Sequence, residues 1–245
     1  MSLPVHWVPG LDGVRSGARV EIEGDEAHHA VAVRRLRVGE ALLLTDGAGT
    51  LVTATVAETG KRLLVVTAER IEHVSEPTPS VTVVQALPKG DRGELAVEVL
   101  TEVGVARIVP WAAARSVAVW RGERATRSVE RWRTTALQAA KQARRAWFPE
   151  VAGLAGTDEV CALVSAAGTA LVLHEAAREP LAAVVPAAGS VVVVVGPEGG
   201  LTDEEVASFE SAGAHAVHLG AEVLRTSTAG VAAVAALLAR TPRWA

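Results

Sequence analysis

Two segments near the carboxyl terminus combine residue types that can do chemistry. Gly196-Pro197-Glu198-Gly199-Gly200 follows the apolar run Val191–Val195 and precedes a helical stretch, Thr202–Ala212, with a capping box from Thr202 to Glu205 and a stop at Gly213. That order places the loop outside the carboxyl end of a strand, where open α/β sheets bind ligands. Its glycines let backbone approach a ligand closely, although glycines also serve simply to turn a chain. No Lys-Ser/Thr pair follows, so this is not a phosphate loop, and the GxGxxG dinucleotide spacing is absent. The second segment, Leu219–Gly230, gathers Arg225, Thr226, Ser227 and Thr228 at the start of a closing helix, Thr228–Ala239. Those side chains suit a polar ligand; the plainer alternative is helix capping by Thr226 or Thr228, with Arg225 in solvent.

The elements that must position these segments alternate between strand and helix. Val81–Ala86, Arg107–Pro110, Ala170–Leu173, Val191–Val195 and Val217–Leu219 read as strands, the central ones apolar throughout. Asp91–Val103, closed by Gly104, and Ala125–Arg145 read as helices, the latter with Trp132, Ala136, Ala139 and Ala140 along one side. This pattern predicts an α/β fold with a parallel sheet covered on both faces. Upstream of a polar, proline-bearing seam at 72–80 the texture differs. Arg19–Ile22, Ala41–Leu44, Leu51–Glu58 and Leu63–Arg70 are β-like runs, separated by turn signals such as Asp46-Gly47-Ala48-Gly49. Asp25–Leu36 reads as a short helix ending near Arg34, Arg35 and Arg37. The expected domains are therefore 1–73, small and mostly β with a basic corner, and 78–245.

Bulk properties narrow the setting. Among 245 residues, 49% are hydrophobic and 21% charged, a globular balance that excludes wholesale disorder. The net charge of −4 advertises no nucleic-acid binding overall, although a local basic patch can still steer RNA. Cys161 is the one cysteine, which excludes an internal disulfide and a cysteine-based zinc site, so no metal is expected and a reduced, cytoplasmic location is. The start Met1–Trp7 carries no secretory pattern, and no apolar run approaches the roughly 20 residues of a spanning helix, so no membrane partner is expected.

Gly-Pro-Glu-Gly-Gly-Leu-Thr-Asp-Glu-Glu, followed some twenty residues later by Leu-Gly-Ala-Glu-Val-Leu-Arg-Thr-Ser-Thr-Ala, closely resembles the RsmE family of SPOUT methyltransferases. The resemblance extends along nearly the whole chain. His28-His29 through Arg34-Arg35-Leu36-Arg37-Val38-Gly39 is similar to that family's PUA-like amino-terminal domain. Leu87-Pro88-Lys89-Gly90-Asp91, Thr101–Val105, Lys141–Arg145 with Pro149-Glu150, and Leu173-His174-Glu175 match further family segments. It implies a SPOUT-type parallel sheet with a carboxy-terminal trefoil knot after a small PUA-like β-barrel, a fold that ordinary topology rules would not propose. It also implies a homodimer that methylates N3 of a specific uridine in 16S ribosomal RNA of the small subunit, using S-adenosylmethionine. The cofactor would lie among Leu173, His174 and Glu175; Gly196, Pro197, Glu198, Gly199 and Gly200; and Leu219, Gly220, Leu224, Arg225, Thr226, Thr228 and Ala229. Two departures stand out. Ser227 replaces a glutamate usual in the family, and Lys141-Gln142-Ala143-Arg144-Arg145 replaces Glu-Gln-Ser/Cys-Gly-Arg, so no carboxylate is available at 227 or 141.

For such a reaction Glu198 is a candidate base, Arg225 a candidate to hold the developing oxyanion or a phosphate, and His174 a third candidate. Each also has a structural reading, Glu198 as an order-giving loop residue and Arg225 as its ion-pair partner. RNA docking would fall to Arg34, Arg35 and Arg37 in the amino-terminal part, and to Lys89, Arg92, Arg144 and Arg145 nearer the catalytic domain. Two other readings compete: a SPOUT enzyme acting on another RNA position, and a non-catalytic ribosome assembly factor that kept the fold, toward which Ser227 leans. An ordinary nucleotide-binding Rossmann enzyme lacks either glycine fingerprint.

Overall fold

Along much of the amino-terminal strands buried side chains alternate with more exposed ones, most regularly over residues 50–57, and the strands curl around the buried ones. In the computed structural model, which describes residues 3–186 and 189–244, this region forms a sheet of β1 (Val5–Trp7), β2 (Arg19–Glu23), β3 (Ala41–Thr45), β4 (Thr50–Thr59) and β5 (Leu63–His73) in the order β1-β3-β4-β5-β2. All pairings except β1 with β3 are antiparallel. Irregular register at Thr53/Ala54 and Val56/Glu58 bends the long β4–β5 ribbon. The core is Leu42, Leu44, Val52, Val56, Leu64 and Val66, closed by Ala27 and Ala30. Those alanines lie on α1 (Gly24–His28) and on the π-helical turn His29–Val33 that continues it.

The chain divides into two compact units, Met1–Glu76 with Lys141–Phe148, and Pro77–Ala140 with Pro149–Ala245. The segment after the long helix, which carries Arg144 and Arg145, thus belongs to the first unit although it lies within 78–245 in sequence. Its attachment explains Asp46–Gly49, which is more than a turn. Phe148 N–H donates to Gly47 O and Gly49 N–H to Ala146 O, both at 2.9 Å, and Trp147 Nε1 donates to Val74 O at 2.8 Å. A Cβ on Gly47 would meet Phe148 at 2.8 Å, and one on Gly49 would meet Trp147 at 2.7 Å. Lys141 itself reaches Glu26.

In the second unit the strands are β6 (Ser80–Ala86), β7 (Arg107–Trp111), β8 (Glu150–Val151), β9 (Thr169–Leu173), β10 (Glu179–Pro180), β11 (Ser190–Val195) and β12 (His215–His218). Every described pairing is parallel, in the order β10-β12-β9-β11-β6-β7-β8. The helices are α2 (Arg92–Glu102), α3 (Glu123–Gln142), α4 (Thr157–Ser165), α5 (Asp203–Ser211) and α6 (Thr226–Leu238). Val81, Val83, Val191, Val193 and Val195 face one core with Leu100, Trp132, Val234 and Leu237. Val84, Val192 and Val194 face the other with Val160 and Phe209. Both faces are buried, which is why these strands read as apolar throughout.

β1, β8, β10 and α4 carry no clear signal in the sequence. β8 and β10 are two residues each, β10 contains a proline, and α4 starts without a Ser/Thr cap, its Glu159 carboxylate accepting from the Gly156 N–H instead. The closing helix begins at Thr226 rather than Thr228, with Arg225 as its extended N-cap and no side-chain cap (φ −69°, ψ 148°). No helix among the described residues is long and apolar enough to cross a membrane.

Candidate functional site

β12, β9 and β11 are neighbours, so the loops leaving their carboxyl ends converge. Leu173–Glu175 ends β9, Val195–Leu201 follows β11, and Val217–Thr226 spans the end of β12 and the approach to α6. Together they line one cleft of about 750 Å³, with Ala229 inside α6 completing it. That volume lies in the range of small-molecule sites.

Each wall has a local cause. α5 carries the expected capping box: Glu205 N–H donates to Thr202 Oγ1 at 3.1 Å, and the Glu205 carboxylate accepts from Thr202 N–H at 2.9 Å. The same buried carboxylate accepts from Ala114 N–H at 2.7 Å, tying the loop after β7 to the glycine loop. Arg115, next in that loop, lines the cleft and donates to Leu201 O at 3.0 Å. Gly199 is glycine because of this closeness, since a Cβ there would sit 2.9 Å from Arg115 O. Gly200, at φ +72°, adopts the left-handed conformation that lets the chain enter α5. On the opposite wall the Gln85 side-chain amide, fully buried at the end of β6, donates to Thr226 O at 3.3 Å and fixes the start of α6. A Cβ on Gly230 would be 3.2 Å from Leu100 and 3.3 Å from Val195, so α6 lies hard against α2 and β11.

The sequence candidates divide cleanly. Leu173, His174, Glu175, Gly196, Pro197, Glu198, Gly199, Gly200, Leu219, Gly220, Leu224, Arg225, Thr226 and Ala229 all line the cleft; Thr228 does not. The Thr228 hydroxyl turns back to donate to Arg225 O at 3.3 Å, which withdraws it from the ligand-facing set. Glu198 is exposed and accepts from Lys89 N–H at 3.1 Å, an ordering contact, and no ion pair joins it to Arg225 among the described residues. Ser227 is buried. Of the seven basic candidates, Arg92 lines the cleft and Lys89 borders it through Glu198. Arg34, Arg35, Arg37, Arg144 and Arg145 belong to the first unit. Arg115, Asp203, His218 and Glu222 also line the cleft and were not singled out. Asp203, His218 and Glu222 adjoin the motifs, but Arg115 lies some eighty residues upstream of the glycine loop and only the fold brings it in.

The cleft therefore mixes three guanidinium groups, Arg92, Arg115 and Arg225, with the carboxylates of Glu175, Glu198, Asp203 and Glu222. The remaining lining is mainly apolar, Leu173, Leu201, Val217 and Leu219 among it, and the glycines Gly196, Gly199, Gly200 and Gly220 leave backbone N–H and C=O groups open to a flat or hydroxylated ligand. Such a site suits a zwitterionic ligand with an aromatic part.

Comparison with known proteins adds identity to this geometry. Residues 75–238 match the family model described as an RNA methyltransferase domain, and residues 22–69 match an RNA methyltransferase PUA domain. The chain is similar to the ribosomal RNA small subunit methyltransferase E of Mycobacterium bovis, at 45% identity over 94% of this chain and 89% of the relative. Its counterpart in Bacillus subtilis is 28% identical over 88% of each. Among solved structures, a ribosomal RNA small subunit methyltransferase E from Neisseria gonorrhoeae bound to S-adenosyl methionine superposes with a TM-score of 0.85 at 28% identity, covering 96% of this chain and 97% of the other. A Legionella pneumophila protein in complex with its bound cofactor SAM gives 0.86 at 27% identity over 98% of each chain.

Proposed function

The chain belongs to the RNA methyltransferase family, and from that premise we propose that it transfers the methyl group of S-adenosylmethionine to N3 of a uridine in 16S ribosomal RNA. One observation carries the reading: the glycine loop and the Arg225 segment, separate in sequence, line a single cleft at the ends of three adjacent strands. The residues present fit the cofactor. Glycine-bearing backbone faces the cleft for the adenine and ribose, carboxylates are at hand for the amino group and the sulfonium charge, and arginines for the methionine carboxylate.

When bound, S-adenosylmethionine supplies an electrophilic methyl group, and the N3–CH3 bond forms as the S–CH3 bond breaks. Positioning is the protein's main contribution, since holding reactants in line accounts for roughly 7–11 kcal/mol in well-oriented reactions. The uridine N3 proton must also leave. In this reading Glu198, one oxygen of which is engaged by Lys89 N–H, accepts it on the other, and Arg225 stabilises negative charge on the uracil oxygen. Gln85 and Gly199 act as positioning residues, holding Thr226 and the loop. The specific uridine, the cytoplasmic location, the homodimer and the threading of the last segment as a trefoil knot are parts of the same proposal. The knot is supported by the order of the sheet, with β12 beside β9, and by the return of α6 onto α2, β6 and β11.

The test is to incubate 16S ribosomal RNA, naked and as assembled small subunits, with S-adenosylmethionine and the protein, then digest and analyse nucleosides by mass spectrometry. N3-methyluridine is the expected product. Methylation of another nucleoside would indicate a different RNA position, and cofactor binding without methylation of any RNA would point to an assembly factor.

A further inference from the structure

Between residues 121 and 133 the chain carries five arginines against two glutamates, although the whole protein has a net charge of −4. Most of this excess lies on one side of α3. Arg124, Arg127 and Arg131 are spaced by three and four residues and share a face with Thr134, Thr135 and Gln138. The buried side, Val129, Trp132, Ala136, Ala139 and Ala140, points away from them into the core. Glu130 lies off the arginine face and pairs with Arg133 at 2.6 Å. Arg131 is the one arginine of the stripe whose charge is answered, by Glu94 at 3.2 Å; no ion pair is recorded for Arg121, Arg124 or Arg127 among the described residues, and all three are exposed.

This stripe is anchored to the cleft at both ends. Glu94 sits on the first turn of α2, two residues from Arg92, which lines the cleft. Gly93 between them lies under Trp132 of α3, where a Cβ would be 2.9 Å from the indole nitrogen. At the other end Arg115 on the cleft's lip is joined to Arg121 by a short run containing the exposed Val117 and Val119.

We propose that Arg121, Arg124 and Arg127 form a phosphate-binding track that leads the RNA substrate to the cleft, in addition to any contact made by the first unit. The inference rests on the reading of the chain as an RNA methyltransferase. A row of unpaired guanidinium groups, Arg124 and Arg127 on one exposed helix face with hydroxyl and amide neighbours and Arg121 just before the helix begins, matches the repeating negative charge of a nucleic-acid backbone and reads no sequence.

The experiment measures affinity for a 16S-derived RNA across a salt series, with the parent protein, with Arg124→Ala/Arg127→Ala and with Arg124→Lys/Arg127→Lys. The alanine pair should weaken binding and lower the slope of log K against log salt by about 1 per arginine. The lysine pair should keep the parental slope, and all three should bind S-adenosylmethionine equally. Unchanged RNA affinity and slope in the alanine pair, with the parent binding RNA normally, would overturn the track while leaving the methyltransferase reading intact. A change in oligomeric state by light scattering in the alanine pair would overturn it too, in favour of an interface between copies. A parent that binds no RNA and methylates none would remove the methyltransferase reading itself, and the track with it.

Discussion

Two charged clusters in this molecule are built on opposite plans. In the first unit Glu26 is held from both sides, with His6 Nδ1 donating at 2.9 Å and Lys141 Nζ at 2.8 Å, and all three side chains are largely withdrawn from water. Burial raises the Glu26 carboxyl, but the hydrogen bonds from His6 and Lys141 and the ammonium charge outweigh it and bring the group to about 2. In the cleft of the second unit Arg225, Glu198 and Glu222 are exposed on loops and are not paired with one another among the described residues. Paired, buried charge fixes one arrangement of chain, here the attachment of Lys141–Phe148. Charge left open beside glycine-bearing backbone is available to a ligand. The difference separates polar residues that hold the protein together from those that work for it, and Lys141, whose ammonium complements the Glu26 carboxylate, is of the first kind.

The contrast can be broken at several points. The largest effect is expected at the open cluster. Arg225→Ala should lower kcat/KM for RNA methylation by about 100-fold or more, the scale of removing one oxyanion-stabilising donor, with the unfolding temperature unchanged. An activity close to the parent's would return Arg225 to solvent. Next comes Gly199→Val, which puts a side chain where Arg115 O lies 2.9 Å from the Cβ position. Calorimetry should show S-adenosylmethionine affinity reduced by about tenfold, equivalent to about 1.4 kcal/mol, and parental affinity would mean the loop has more room than its packing indicates.

At the closed cluster the effect should fall on stability alone. Glu26→Gln leaves Lys141 without its carboxylate and should cost about 1–3 kcal/mol in denaturant unfolding, with cofactor affinity intact. The same pair sets a pH dependence. The Glu26 carboxyl is lower in the folded chain, about 2 against an ordinary 4.5, so its contribution is fully present above pH 4.5 and is lost as the pH falls from there toward 2. Unfolding midpoints measured over that window should drop more steeply in the parent than in Glu26→Gln; parallel curves would show that the network does not carry the dependence. The smallest effect is expected at Thr228→Ala, within about 0.5 kcal/mol of the parent and without change in cofactor binding, since Thr228 faces its own helix turn.

Much of this was legible in the residues. Val191–Val195 and Ala170–Leu173 announce doubly covered strands because both their faces are apolar, and Thr202 with Glu205 announces a helix start because the two side chains satisfy each other's backbone. The glycine loop and the Arg225 segment could be found from composition and order alone, and the family resemblance supplied their shared purpose. What the sequence hides is what depends on distant chain. Arg115 reaches the cleft because its loop folds against the glycine loop, with Glu205 accepting from Ala114 and Leu201 O accepting from Arg115. Asp46–Gly49 reads as a turn, yet its glycines are required by Trp147 and Phe148 a hundred residues later. Lys141 reads as a departure from a family motif, and its meaning appears only when Glu26 and His6 are beside it. Short elements such as β8 and β10 have too few residues to show a period, and their pairing is imposed by the sheet.

Isothermal titration of S-adenosylmethionine into the parent protein decides whether the open cluster of the second unit is a methyl-donor pocket. Saturable binding of one cofactor per chain is expected, weakened by Gly199→Val and untouched by Glu26→Gln. No binding to the parent, or equal binding by Gly199→Val with loss in Glu26→Gln, would contradict it.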